Sequence, residues 1–396
     1  MTKSKQPQYR FDSFEGEWEE KELGDIVQIT MGQSPSSQNY TTNPSDYILV
    51  QGNADIKNGY VFPRVWTTQI TKQADKGDII LSVRAPVGDV GKTNYHVIIG
   101  RGVAAIKGNE FIFQILKYLK EIGYWKRIST GSTFDNISSS DIKYAKIQIP
   151  SLPEQEAIGE LFQTVDQLIQ LQDQKLATLK EQKQTFLRKM FPPQGQKVPE
   201  IRLQGFDGEW EENKLGEVSP LRGGYAFESD KFQSDGIKII RISNILSSGI
   251  IGGEFAHYHQ INNDDKYLLT GGSALIAMSG ATTGKVSILN TEEKYYQNQR
   301  VGYFMDLNKI HYNFIIAFLK SLNFNKQIQS VLVAGAQPNI SSKEIDNFQI
   351  LYPRHNVEQE AIGNFFQTLD QQISQTEEKL TELKALKQTL LNRLFV

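Results

Sequence analysis

Apolar and polar positions follow several rhythms along this chain, and the longest regular rhythm occurs twice. Over residues 154–190 apolar side chains fall at Ile158, Leu161, Val165 and Leu168, then resume at Leu176, Leu179, Phe186 and Met190. The first four keep a heptad a/d spacing, and the step through Gln172 to Leu176 inserts a four-residue stutter. Residues 358–394 repeat the register with Ile362, Phe365, Leu369, Thr376, Leu380, Leu383, Leu390 and Leu394. Both stretches are rich in strong helix formers and hold no Gly or Pro beyond their opening turns, which predicts two long helices. Each would run roughly 55 Å. A narrow apolar stripe on a charged helix suits a two-helix coiled coil better than a globular core.

The rest of the chain is patterned in shorter pieces, and these too come in pairs. PQYRFDSFEGEWEEKELGDI at 7–26 answers PEIRLQGFDGEWEENKLGEV at 199–218, an offset of 192. VGK at 90–92 aligns with TGK at 283–285, Tyr118-Leu119-Lys120 with Phe318-Leu319-Lys320, and NISSSDI at 136–142 with NISSKEI at 339–345. Those offsets are 193, 200 and 203, and the long helices match at 204. An offset that only grows is expected of one duplicated unit whose second copy gained loop insertions, and the period is too long for a solenoid. Each unit begins with an EGEW or DGEW turn whose Trp18 or Trp210 anchors it. Short β-patterned runs follow, such as 77–83 and 237–243, separated by Gly, Asn, Asp and Ser. Next come an amphipathic helix (111–122; 312–321), a loop (TGST at 130–133; AGAQ at 334–337) and a short strand ending at Pro150 or Pro353. The Pro- and Gly-containing stretch from Phe191 stops the first long helix. The resulting α+β plan has globular regions at 1–150 and 199–353, long helices at 151–191 and 354–396, and a linker at 192–198. The helices are nearly copied while the globular regions diverge, which points to shared scaffolding carrying two different readers.

Composition narrows the function classes without selecting one. The 396 residues are 39% hydrophobic and 22% charged, as in ordinary soluble proteins, with no apolar run of transmembrane length and no signal-peptide pattern. The absence of Cys excludes disulfides and thiolate metal sites and fits a cytoplasmic protein. A net charge of −2 does not advertise a polyanion partner, yet residues 25–143 carry 13 Lys and Arg against 10 Asp and Glu, and residues 217–340 carry 11 against 10. GATTGKV at 280–286 is one residue short of a phosphate loop and ends on Val where Ser or Thr must bind Mg²⁺, so a β-turn is the better reading. His257 and His259 have no third metal ligand nearby and read as a surface pair. No spaced catalytic motif stands out, so no catalytic residue and no metal site are assigned.

Three segments together carry a family signature: AGAQPNISSKEIDNFQILYP with its counterpart TGSTFDNISSSDIKYAKIQIP, IPSLPEQEAIGELF, and PEIRLQGFDGEWEENKLGEV. In this order they resemble the specificity (S) subunits of type I restriction-modification systems, and the similarity spans the whole chain. TGST departs from the Gln-Pro form of the second copy. The resemblance implies two target recognition domains, each reading one half of a split site in double-stranded DNA. It implies two long helices pairing as an antiparallel coiled coil that spaces the readers and docks two methyltransferase (M) subunits. No cofactor is implied for this chain; S-adenosylmethionine would belong to the methyltransferase partner, and ATP with Mg²⁺ to the restriction (R) subunits. On that reading the candidate DNA contacts are Arg84, Lys92 and Arg101 in the first domain, and Arg222, Arg241, Lys285, Asn298 and Arg300 in the second. Helix pairing and partner docking would fall to Ile158, Leu161, Val165, Leu168, Leu176, Leu179, Phe186, Ile362, Phe365, Leu369, Leu380, Leu383 and Leu390. Two rivals are a coiled-coil protein adaptor that binds no DNA, and an enzyme acting by itself.

Overall fold

The computed structural model describes residues 6–129, 135–246, 248–262, 264–334 and 339–395. It divides into two compact units, Met1–Gln174 with Glu378–Val396, and Lys175–Glu377. The first unit contains β1 (Glu19–Glu22), β2 (Gln28–Met31), β3 (Tyr47–Val50), β4 (Ile79–Ser82), β5 (Val90–Lys92), β6 (Val97–Ile99), β7 (Val103–Lys107), α1 (Glu110–Glu121) and β8 (Lys146–Ile149). One sheet runs β2–β7–β4–β5 and continues into the hairpin of Tyr60–Val61 and Ile56–Lys57. A second sheet places β3 beside β6, and that pair is parallel among antiparallel neighbours. Strand periodicity divides the core in two. Ile79, Leu81, Ala104 and Ile106 face α1, while Ile80, Val103 and Ala105 face the other sheet. β1 pairs with β8 and closes the unit beside the long helix α2 (Leu152–Lys189).

The second unit repeats this plan with β9 (Glu211–Lys214), β10 (Leu221–Gly223), β11 (Ile237–Ile240), β12 (Ala274–Ala277), β13 (Val286–Ile288), β14 (Tyr295–Gln297) and β15 (Val301–Phe304). α3 (Tyr312–Leu319), α4 (Leu322–Ala334), β16 (Gln349–Tyr352) and the long α5 (Asn356–Leu394) follow. Its sheets are β10–β15–β12–β13 and a second one holding the parallel pair β11 and β14. Ala274 and Ile276 face the helices, and Leu275 and Ala277 face the second sheet.

Superposing the two plans corrects two of the sequence offsets. Trp18 packs on Phe111 and Trp210 on Phe314, so α1 and α3 correspond at 203 and not at 200. Gly88 and Gly284 both adopt positive φ, and an added Cβ would lie 2.7 Å from Trp125, in the helical turn Tyr124–Ile128 after α1, or 2.5 Å from Ile328 in α4 after α3. They are the equivalent turn glycines, offset 196, so VGK and TGK are not counterparts. Thr283 N–H donates to Gly280 O at 3.1 Å, the turn expected for GATTGKV. The TGST loop and, apart from Ala334, the AGAQ loop lie outside the described residues.

Both long helices form over nearly the stretches the periodicity predicts, and they pair antiparallel. In the first unit Lys387 meets Asp166 at 2.6 Å and Lys384 meets Asp173 at 3.6 Å. In the second, Lys183 pairs with Asp370, and Lys180 meets Glu377 at 2.6 Å. The residue numbers of Lys387–Asp166 and Lys183–Asp370 both add to 553, so one register holds in both units.

The buried stripe is wider than the a/d pattern. Ile158, Phe162 and Val165, and likewise Ile362, Phe366 and Leu369, go under at straight-helix spacing because each helix end packs on its sheet-and-helix core as well as on the other helix. The opening EQEAIG is explained by that packing. Glu154 accepts Arg10 at 2.7 Å and Trp18 Nε1 at 3.2 Å; Glu358 accepts Arg202 at 2.7 Å. Gln155 and Gln359 donate to Pro150 O and Pro353 O. Gly159 and Gly363 allow close approach, since an added Cβ would sit 2.8 Å from Glu110 Cβ and 2.6 Å from the Asn313 backbone.

The stretch after α2 is no loose linker at its start. Phe191 is buried against Phe314, Phe318, Phe366 and Trp210. Its counterpart Phe395 packs on Phe111, Tyr118 and Phe162. Each unit therefore completes its core with the far end of the helix that follows the other globular region.

Candidate nucleic-acid interface

Four loops meet at one edge of the first unit: those after β2, β3 and β4, and the turn between β6 and β7. Backbone hydrogen bonds tie them together. Gln33 donates to Ile99 O at 2.8 Å, Gly100 to Val50 O at 2.8 Å, and Val83 to Gly102 O at 2.9 Å. Arg101 N–H donates to Ser34 Oγ at 3.1 Å. Only glycine fits at 102, where a Cβ would lie 1.9 Å from Gln51 O. The shallow cleft so formed is lined by Ser34, Gln51, Asn53, Arg84 and Arg101. Two of the predicted arginines, 33 to 67 residues downstream of Gln51 and Ser34, are thus brought together. Both are exposed, and among the described residues no ion pair or side-chain hydrogen bond engages either guanidinium. A planar fork of free donors beside amide side chains can take bidentate acceptors such as the guanine edge or a phosphate.

The second unit builds the same edge from other residues. Tyr225 donates to Gln297 O at 2.8 Å, Asn298 to Ile240 O at 3.1 Å, and Met278 to Arg300 O at 3.0 Å, matching the bonds of the first unit. Arg241 follows β11 where Gln51 follows β3, and Asn298, Gln299 and Arg300 occupy the turn that holds Arg101. Ser279 stands in the place of Arg84: each makes an isolated bridge to an Asn of the NISS segment. Arg300 is exposed, as is Lys285 in the turn before β13. Arg241 lies 5.8 Å over the Phe232 ring and donates to Glu254 O at 3.4 Å, with its Nε buried and without a partner.

Two predicted contacts are spent inside the fold. Lys92 points from β5 to Glu110 and lies 5.1 Å over the Phe113 ring. Arg222 bonds Gln297 Oε1 at 3.1 Å and stacks 4.7 Å from the Tyr303 ring; burial pushes its pKa down. The helix positions are also mostly internal. Ile158, Val165, Leu179, Ile362, Leu369 and Leu380 are buried within their units. Leu161, Phe186, Phe365 and Leu390 are partly buried against the cores, and Leu176 and Leu383 are half-buried. Leu168 remains 41% exposed, and Leu171 and Leu386 are exposed as well. Ser34, Gln51, Asn53 and Gln299 were missed by sequence reasoning. Polar loop residues carry no periodic signal, and only strand pairing gathers them.

Among the described residues no group of three His, Cys, Asp or Glu side chains is placed to hold a metal, and no helix is long and apolar enough to cross a membrane. The type I restriction modification DNA specificity domain model matches residues 15–181 and 207–385. A provisionally named type I restriction enzyme MjaX specificity subunit of Methanocaldococcus jannaschii is 36% identical over 180 residues, 43% of this chain and 42% of that one. The MjaVIII specificity subunit of the same organism is 23% identical over 96% of this chain and 92% of its own length. The S subunit of a type I restriction-modification system from M. genitalium has the same fold, with a TM-score of 0.69, 18% identity and 99% of both chains covered. With two copies of the family domain spanning most of its length, the chain belongs to the DNA specificity subunits of type I restriction-modification systems.

Proposed function

We propose that this subunit reads an asymmetric, bipartite site in double-stranded DNA, one half with each edge just described, and leaves the chemistry to its partners. The observation that carries this reading is one loop edge built twice on the same backbone bonds with different side chains. Gln51, Arg84 and Arg101 stand in one unit where Arg241, Ser279 and Gln299 stand in the other. Arg suits guanine O6 and N7, and Gln or Asn suits adenine N6 and N7, so unlike edges select unlike half-sequences. Lys285 and Arg300 supply phosphate positioning or base contact beside them. The paired helices would set the gap where no base is read, and two M subunits would dock on their outer faces, with R subunits joining for cleavage. S-adenosylmethionine, ATP and Mg²⁺ would be bound by those partners. The modest charge then follows, because the partners share the phosphate contacts.

A base-resolution methylome of cells carrying the chain and its neighbouring methyltransferase, with and without the chain, tests this. A gapped, asymmetric methylation motif that needs the chain is the expected result. A soluble complex with active methyltransferase and no chain-dependent motif would favour the adaptor.

A further inference from the structure

The two readers share one feature that has nothing to do with their reading edges. In the first unit Asp166 on α2 accepts Lys387 from α5 at 2.6 Å, Lys117 from α1 at 3.3 Å and Gln114 from α1 at 3.1 Å. In the second unit Asp370 on α5 pairs with Lys183 from α2 and, at 2.6 Å, with Lys320 at the end of α3. Each aspartate thus holds both long helices and the globular region's own helix at one point. The two clamps are related by the repeat itself: Asp166 to Asp370 and Lys183 to Lys387 at an offset of 204, Lys117 to Lys320 at 203.

We propose that Asp166 and Asp370 are positioning residues that seat each recognition domain on the paired helices, and thereby determine how many base pairs go unread between the half-sites. This rests on the bipartite reading above. The clamp aspartates are 31% and 29% exposed and their lysine partners 17–25%, so these ion pairs are partly desolvated. The other helix–helix pairs, Asp173–Lys384 and Lys180–Glu377, are about half exposed on both partners. Exposed pairs contribute little, whereas a partly desolvated carboxylate with partners on two other elements resists both sliding and rolling. A slip of one helical turn is about 5.4 Å and would part both clamps at once. Loosening one lets a reader tilt by the few ångströms that separate adjacent base pairs while its own edge stays whole.

The test compares methylomes directed by the full chain with its methyltransferase: wild type, Asp166→Asn, Asp370→Asn, and the control Asp173→Asn with Glu377→Gln. The clamp variants are expected to keep both half-sequences. Their preference for the native gap over gaps one base pair longer or shorter should fall about tenfold, with the control unchanged. Lys117→Met and Lys320→Met release only the domain's arm and leave the helix–helix pair, so they cover the case in which an aspartate variant fails to accumulate. Variants with the wild-type gap preference, or a control that loses it equally, would overturn the clamp. A wild-type chain that directs no gapped motif would instead overturn the bipartite reading beneath it.

Discussion

Lys92 and Arg101 lie nine positions apart and were indistinguishable as candidate cations, yet the fold gives them opposite uses. Arg101 stands in a turn held open by Gly102, while Lys92 ends a strand beneath α1. Arg101→Ala should therefore relax one base position of one half-sequence, worth about 1–3 kcal/mol of discrimination, without changing the unfolding midpoint. Lys92→Met should leave the methylation motif as it was and lower stability, because Glu110 loses its cationic partner and keeps only the Gln114 amide; a motif change would reverse the assignment. The clamp lysines and aspartates also make stability depend on pH. For Asp166 burial alone raises the pKa, but Lys117 and Lys387 together outweigh it and hold the carboxyl below its usual 3.8. Its contribution is therefore present above the ordinary Asp range and is lost as pH falls through the lower folded value. Lys117 is also pushed down, to about 8, chiefly by burial. Between about 8 and the ordinary 10.5 the unfolded chain binds the extra proton, so stability should rise with pH there. Urea unfolding from pH 3 to 10 checks both limbs: Asp166→Asn should flatten the acid side and Lys117→Met the alkaline side.

At the scale of elements, the long helices are parts of two cores as well as a coiled coil. Phe395 sits at the end of α5 but stacks among Phe111, Tyr118 and Phe162, near the start of the chain's first core. Phe395→Ala should cost about 3–5 kcal/mol and speed amide exchange in α1 but not in α3. Phe191→Ala should do the reverse. Equal effects in both helices would contradict the reciprocal packing. Gly363→Ala places a methyl 2.6 Å from the Asn313 backbone, which cannot swing aside as a side chain can. It should destabilise the second unit by about 1–3 kcal/mol in denaturant unfolding. The heptad pattern foresaw that α2 and α5 pair, but not that Phe162 and Phe366 lie deeper than Leu161 and Phe365. A stripe that faces a partner helix and a core together is broader than a coiled-coil seam.

For the whole molecule, the shared register makes the effect of insertions specific. Seven residues added near Leu176 in α2 alone leave the pairs of one unit in place only by displacing those of the other. That variant should lose methylation. Seven added at matching points in α2 and α5 preserve every ion pair and lengthen the helices by about 10 Å. This double insertion should keep both half-sequences and widen the gap by about three base pairs, as read by a methylome. Replacing residues 25–143 with another such domain should change one half-sequence only, and a change in both would defeat the two-reader model.

What the sequence by itself determined is whatever local order and repetition encode. Helical periodicity specified α2 and α5, strand alternation specified β4 and β11, and the duplicated EGEW, NISS and EQEAIG segments specified two copies of one plan. Those signals need only neighbours within a few turns. The tertiary structure alone decided which cations are free and which are spent, because that depends on groups far away in the chain: Glu110 for Lys92, Gln297 and Tyr303 for Arg222, and open solvent for Arg84 and Arg101. It also decided the true correspondence of the repeats, since short matches such as VGK and TGK arise by chance while Gly88 and Gly284 answer to the same steric demand. The antiparallel register likewise waited on the fold. A stripe of leucines allows many alignments, and only the paired charges at Asp166 and Asp370 select one.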